Sequence, residues 1–274
     1  MMRDDGLPPL RDIIAQYQLQ AGKHLGQNFI FDFNLTRRIA RAAKAHDKTH
    51  IIEIGAGPGG LTRALLIEGA HTITAIEADS RFQPALSDIQ AAYPNQLEVI
   101  IGDARDYKLP AQTAYKIVAN LPYNAATALL LLWLREESNR AKSMTLMFQK
   151  EVGERICATP NSPHYGRLAV LANWLCQTKI LFDVPPQAFV PQPKIASCLV
   201  QLIPRDRPYA EAERQKLEKV TQAAFGQRRK MLRTSLKQIT KDPIALLQAA
   251  QIDPTARAET LTIAEFCALA RLLD

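Results

Sequence analysis

Up to Ile203 the chain alternates short apolar runs with segments of helical periodicity, a pattern that few folds accommodate. Ile51-Ile52-Glu53-Ile54 reads as a strand, and Leu61 to Ile67 opens the helix after it. Thr72 to Ile76 and Arg81 to Tyr93 repeat the pair. Leu97 to Ile101 and Lys116 to Ala119 supply two more strands, Ala125 to Leu134 a helix, and Met144 to Phe148 a further strand. Parallel neighbours need long crossovers, so this alternation predicts βαβ units around a largely parallel sheet. Lys179 to Val184 and Ser197 to Ile203 lack an obvious helical crossover and read as an antiparallel pair finishing the sheet edge. After Ile203 the texture changes. Pro204-Arg205-Asp206-Arg207-Pro208 is a polar, proline-bounded linker. Only helical patterns follow, from Ala210 to Leu273, with breaks at Pro243 and Pro254. The expected organisation is an α/β domain over residues 1–203 and a small helical domain over 204–274.

Charge and cysteine usage narrow the partners. The net charge of +7 favours an anionic partner such as nucleic acid or a membrane surface. More than half of it lies beyond Ile203, where 13 Lys/Arg face 9 Asp/Glu. Met1 to Gly6 lacks the basic and apolar regions of a secretory signal, and the apolar run Ala128 to Leu134 is too short to span a bilayer. Cys157, Cys176, Cys198 and Cys267 are widely separated and read as free thiols in a reducing compartment. The five histidines show no metal-ligand spacing, so no metal is expected. The expectation is a cytoplasmic monomer, not a membrane protein.

Glu53-Ile54-Gly55-Ala56-Gly57-Pro58-Gly59-Gly60-Leu61-Thr62 runs from a strand through a glycine turn into a helix. Gly55, Gly57 and Gly60 fit G-x-G-x-x-G, in which missing side chains permit a tight turn and close ligand approach. Nicotinamide and flavin proteins share this pattern. Pro58 separates the readings, because it removes an N–H that a dinucleotide site would aim at pyrophosphate. S-adenosylmethionine has no phosphate and does not need that donor. Glu77 ends the second strand, where a carboxylate can accept both ribose hydroxyls. Asp103 follows the third, placed to accept from an adenine amine.

Asn120-Leu121-Pro122-Tyr123 ends the next strand on the same side. An aromatic amine is a poor nucleophile because its lone pair is delocalised into the ring. Hydrogen bonds accepted from its hydrogens favour a pyramidal nitrogen with a localised lone pair. Asn120 Oδ1 and the Leu121 carbonyl can accept them, Pro122 shapes the turn, and Tyr123 offers a face for stacking a base. The methylated amine is acidic enough to lose its proton to water, so positioning and charge placement carry the catalysis.

With these motifs in order, the chain resembles the ribosomal RNA adenine dimethyltransferase family, most closely its bacterial small-subunit branch. The resemblance runs from about Gly22 to the carboxyl end. It rests on Leu25-Gly26-Gln27-Asn28-Phe29-Ile30, the Gly55–Thr62 turn, Glu77, Asp103 and Asn120–Tyr123. Two further runs carry it: Phe189-Val190-Pro191-Gln192-Pro193-Lys194-Ile195 and Phe225-Gly226-Gln227-Arg228-Arg229-Lys230. It implies a Rossmann-like class I methyltransferase sheet with S-adenosyl-L-methionine as cofactor. Asn28 and Ile30 are implied to fold over that cofactor, and Gly55, Glu77, Asp103 and Asn120 to contact it. Ile30 stands where the family usually has Leu, which matters little if the contact is through the main chain. Phe189 is implied as a second aromatic, sandwiching a flipped adenine against Tyr123. The residues alone also allow Phe189 to be a core aromatic between Pro186 and Pro191. The implied reaction is four methyl transfers to two adjacent adenosines near the 3′ end of 16S rRNA, within the immature 30S subunit late in assembly. The macrolide-resistance enzymes of the large subunit share most motifs. The full-length tail and the Phe-x-x-Arg-Arg-Lys run favour the small subunit. A non-catalytic assembly factor is disfavoured by the complete Asn120–Tyr123 motif.

The tail carries the expected RNA contacts, Arg228, Arg229, Lys230, Arg233 and Lys237. From Lys219 to Lys241 there are seven basic residues and no acid. Arg229, Arg233, Lys237 and Lys241 recur every four positions, so a helix would align them on one face, with Phe225, Leu232, Leu236 and Ile239 on another. An RNA backbone would offset their mutual repulsion and make binding salt-dependent.

Overall fold

A computed structural model describes residues 5–19, 22, 27–135 and 141–273. Leu25 and Gly26 of the first family motif lie outside the described residues. The order is α1 (Leu10–Gln16), β1 (Phe29–Ile30), α2 (Phe33–Ala42), β2 (His50–Ile54), α3 (Gly60–Ile67), β3 (Ile73–Glu77) and α4 (Gln83–Ala92). Then come β4 (Leu97–Ile101), β5 (Tyr115–Ala119), α5 (Tyr123–Arg135), β6 (Ala141–Gln149), α6 (Lys150–Ile156) and α7 (Arg167–Leu175). The chain continues through β7 (Cys176–Val184), β8 (Phe189–Val190) and β9 (Ser197–Pro204). It finishes with α8 (Arg214–Gly226), α9 (Leu232–Ser235), α10 (Pro243–Ala249) and α11 (Ile263–Leu272).

Seven strands form one sheet in the order β4-β3-β2-β5-β6-β9-β7. β4, β3, β2, β5 and β6 are parallel neighbours, and β9 runs antiparallel to β6. All five residues of β3 and of β5 are buried, as strands covered on both faces require. The strand order reverses between β2 and β5, where open α/β sheets leave a crevice at the carboxyl ends of their strands. A separate two-stranded ribbon joins β1 to β8, pairing Phe29 with Val190 and Ile30 with Phe189.

The chain divides into two compact units, one of Met1–Lys150 with Lys179–Ile203, the other of Glu151–Thr178 with Pro204–Asp274. This differs from the division at residue 204 alone, because α6 and α7 go with the tail. The reason is packing between elements distant in sequence. Tyr165 meets Phe225 edge-on at 5.9 Å, Phe225 lies 5.4 Å from Phe266, and the Trp174 indole donates to the Ala210 carbonyl at 2.8 Å.

The tail also departs from the expected continuous basic helix. α8 stops at Gly226, Gln227 leaves helical geometry, and the chain turns through Lys230 before the four-residue α9. Glycine favours such a break, and the turn lets Leu232 and Leu236 be fully buried. Arg228, Arg229, Lys230, Arg233, Lys237 and Lys241 are all exposed, but no single helix face aligns them. Arg228 donates to the Pro163 carbonyl at 2.6 Å.

Candidate active site

The first unit holds a crevice of about 770 Å³ at the carboxyl ends of β2, β3, β4 and β5. Asn28, Ile30, Gly55, Gly57, Glu77, Asp103 and Asn120, expected from seven positions across the sequence, all line it. So do Leu121, Pro122 and Tyr123.

The turn after β2 directs its donors into the protein. Gly57 N–H donates to Glu77 Oε2 at 2.7 Å, and Gly59 N–H donates to the Ala56 carbonyl at 3.0 Å. Pro58, between them, has no N–H. These three successive positions therefore offer an anion no main-chain donor, the reverse of a pyrophosphate cradle. Gly55, Gly57 and Gly59 all take positive φ. Gly59 lies outside the three-glycine pattern, yet at φ +86° it disfavours any L side chain, and a Cβ there would stand 2.1 Å from Ile89 Cδ1, which would have to move. A Cβ on Gly60 would meet Leu10 Cδ2 at 2.9 Å, so α1 closes on the start of α3.

Glu77 is 6% exposed, and its other oxygen accepts Asp79 N–H at 2.8 Å. Burial pushes its carboxyl upward, and the main-chain N–H groups of Asp79 and Gly57 oppose that shift. Each oxygen retains a lone pair for a hydroxyl. Asp103 is clasped by the exposed Arg105, whose Nε lies 3.0 Å from both carboxylate oxygens, and that partner holds its pKa down to about 2. A ligand amine would share this carboxylate with a displaceable surface arginine. Asp79 is paired likewise with Arg81 and accepts from Gln27 at 3.1 Å. Gln27, Asp79, Arg81 and Arg105 all line the crevice, yet as solvated-looking polar residues they carried no signal in the sequence. Carboxylates placed for hydroxyls and an amine, beside a Gly57–Gly59 stretch that presents no free main-chain donor, match the functional groups of an adenosyl cofactor.

Glu53, two residues before Gly55, is 1% exposed on β2, and its Oε2 has no hydrogen-bond partner among the described residues. Burial raises its pKa to about 8; Thr62 opposes the shift, though its hydroxyl also lacks hydrogen-bond geometry, and the Glu77 charge adds to it. Because the folded pKa lies above the ordinary 4.5, the stability given by the neutral carboxyl is complete below about 4.5 and lost as pH rises through about 8. Glu53→Gln should flatten the fall in unfolding free energy, read by urea titration between pH 5 and pH 8, by about 1.4 kcal/mol per unit of pKa difference removed. Parallel pH profiles for the two proteins would show Glu53 ionised throughout.

Asn120 follows β5, and its Nδ2 reaches the Asn28 carbonyl at 3.5 Å, which leaves Oδ1 as the accepting end of the amide. The Pro122 carbonyl accepts from Ala125 at 2.9 Å and Ala126 at 3.2 Å. The hydrogen bonding of α5 thus begins at Pro122 and does not consume the Leu121 carbonyl. Tyr123 is half-buried and its hydroxyl meets Ser197 Oγ at 2.6 Å.

Phe189 stands elsewhere. It is not among the described residues lining the crevice, and at 2% exposure it sits in the apolar core with Phe29, Ile30 and Leu199. Of the two aromatics expected to sandwich a base, Tyr123 alone faces the crevice in this conformation. An aromatic flanked by prolines fits a rim or a core equally well in sequence. Pairing of β8 with β1 turns this one inward.

Residues 18–274 match the family described as ribosomal RNA adenine dimethylase. The chain belongs to this family. It is 57% identical over 275 residues to ribosomal RNA small subunit methyltransferase A of Bradyrhizobium diazoefficiens, covering 98% of this chain and 96% of that one. The protein of the same name from Agrobacterium fabrum is 55% identical over 98% of this chain and 99% of its own. Among solved structures, a dimethyladenosine transferase from Plasmodium falciparum superposes with a TM-score of 0.72 at 24% identity, covering 86% of this chain and 94% of that one. The 23S rRNA methyltransferase ErmE gives 0.70 at 24% identity, covering 90% and 100%. The sheet is thus the Rossmann-like class I methyltransferase fold, and this dimethylase is an enzyme. No helix among the described residues is long and apolar enough to cross a membrane.

Proposed function

We propose that this dimethylase transfers methyl groups from S-adenosylmethionine to the N6 amines of two adjacent adenosines near the 3′ end of 16S rRNA, in the immature 30S subunit. The observation that carries the reading is the meeting, in one crevice, of a glycine turn whose Gly57–Gly59 stretch presents no free main-chain donor and the Asn120–Tyr123 tetrapeptide. The cofactor supplies a methyl group on a sulfonium, with a neutral thioether as leaving group. Glu77 accepts its ribose hydroxyls and Asp103 its adenine amine. Gly55, Asn28 and the Ile30 main chain shape the space around it.

Asn120 Oδ1 and the Leu121 carbonyl accept the two hydrogens of the target amine and hold its lone pair toward the methyl group. Tyr123 stacks the flipped base. An adenine in a loop reaches this position at lower cost than a paired one. After the first transfer the amine keeps one hydrogen, so one acceptor suffices and the added methyl needs space. Of the residues with which α5 lines the crevice, Ala125 and Ala128 have small side chains that leave such space, beside the larger Tyr123 and Leu129. The first unit carries this chemistry in a cytoplasmic enzyme, and the exposed basic residues of the second, Arg228 to Lys230 with Arg233 and Lys237, bind rRNA phosphates. Arg228 keeps one of its donors on the Pro163 carbonyl, which orients the guanidinium and leaves its charge and other donors exposed.

Methyl transfer to purified immature 30S particles and to 23S rRNA, measured side by side, tests the proposal. Activity confined to 30S is expected. In the same assay Arg229→Glu with Arg233→Glu should weaken binding and reduce its salt dependence. Activity on 23S alone would refute the proposed substrate.

A further inference from the structure

Tyr123 is anchored at both ends. Its backbone opens α5, and its hydroxyl shares the 2.6 Å hydrogen bond with Ser197 Oγ. Ser197 is wholly buried at the first position of β9. Its own backbone is held without help from Tyr123. It stands opposite Gln149 in the β6–β9 ladder, and the Ala196 carbonyl before it accepts the Lys150 N–H at 2.9 Å. A buried hydroxyl that loses its partner is costly, so this bond persists through small motions of the crevice. A tyrosine ring is placed by its first side-chain torsion, and a bond at its far end holds that torsion; the hydroxyl oxygen lies on the axis of the second, so the bond fixes where the ring stands.

We propose that Ser197 is a positioning residue for methyl transfer, holding the Tyr123 ring at its place in the crevice so that the incoming adenine meets a preformed wall. This rests on the reading of Tyr123 as the wall of the base site. Ordering of the ring is then completed on folding and not at each binding event, which favours the reactive geometry. Ser197 is not among the described residues lining the crevice, so it acts through Tyr123.

The test uses the full chain, immature 30S particles and four variants: Ser197→Ala, Tyr123→Phe, their double, and Tyr123→Ala. Either single loss of the bond should lower kcat/KM for the RNA about tenfold. The double should be no worse than either single, because both remove the same bond. Affinity for S-adenosylmethionine, read by calorimetry, should stay within about twofold, which a general loss of structure would not allow. Tyr123→Ala should fall further than Tyr123→Phe. Full activity in Tyr123→Ala would remove the stacking wall itself. An impaired Tyr123→Ala beside unimpaired Ser197→Ala and Tyr123→Phe would overturn the role of Ser197 and leave the wall standing. Losses that multiply in the double variant would overturn it too.

Discussion

Asn120→Ala is expected to slow methyl transfer by about two to three orders of magnitude while leaving rRNA binding in place. Removing one preorganised polar group from a reacting centre typically has that effect. The amide oxygen is the accepting end here because Nδ2 faces the Asn28 carbonyl. Single-turnover rates with methyl-labelled cofactor, beside filter binding of the RNA, separate the chemistry from recognition. A modest loss of cofactor affinity is compatible with the proposal, since Asn120 also borders that part of the crevice. An unchanged single-turnover rate would take Asn120 out of the catalytic role and leave the Leu121 carbonyl as the acceptor.

Phe189→Ala should act mainly on stability, lowering it by about 3–5 kcal/mol, the usual cost of removing a buried phenyl ring. The ring is 2% exposed, and its backbone braces β1, which follows directly on Asn28. The alanine variant should therefore lose cofactor affinity along with its melting temperature. Phe189→Leu roughly conserves core volume and should cost less than about 1.5 kcal/mol. Its affinity for RNA should match that of the parent. If instead Phe189→Ala melts normally and only RNA affinity falls, the ring belongs to the base site in the complex. The sandwich implied by the family resemblance would then form on binding.

These two residues mark how much of the site was legible beforehand. Asn120 was readable because its role follows from a four-residue turn at the end of an apolar strand. Phe189 reads in sequence as an aromatic between prolines, equally fit for a base site or for the core, and the choice is made by β1, far away in sequence. The same contrast separates the glycines. Gly55 and Gly57 were expected from spacing, whereas the severity at Gly59 depends on Ile89 of α4. In the tail, a four-residue periodicity of arginines and lysines suggested one helix. Burial of Leu232 and Leu236 after a break at Gly226 overrode it.

From the sequence came the order of strands and helices between Ile51 and Phe148, the glycine turn with its Pro58, the strand-end acids and the acceptor tetrapeptide. Each follows from apolar periodicity or from backbone constraints among neighbouring residues, so each is written locally. Tertiary packing settled that α6 and α7 join the tail and that Phe189 is buried. It also decided that Tyr123 is tethered to a serine 74 residues away. Most of these depend on which elements the sheet and the helical unit bring side by side. Burial and a distant hydrogen-bond partner are properties of that juxtaposition, not of the residue.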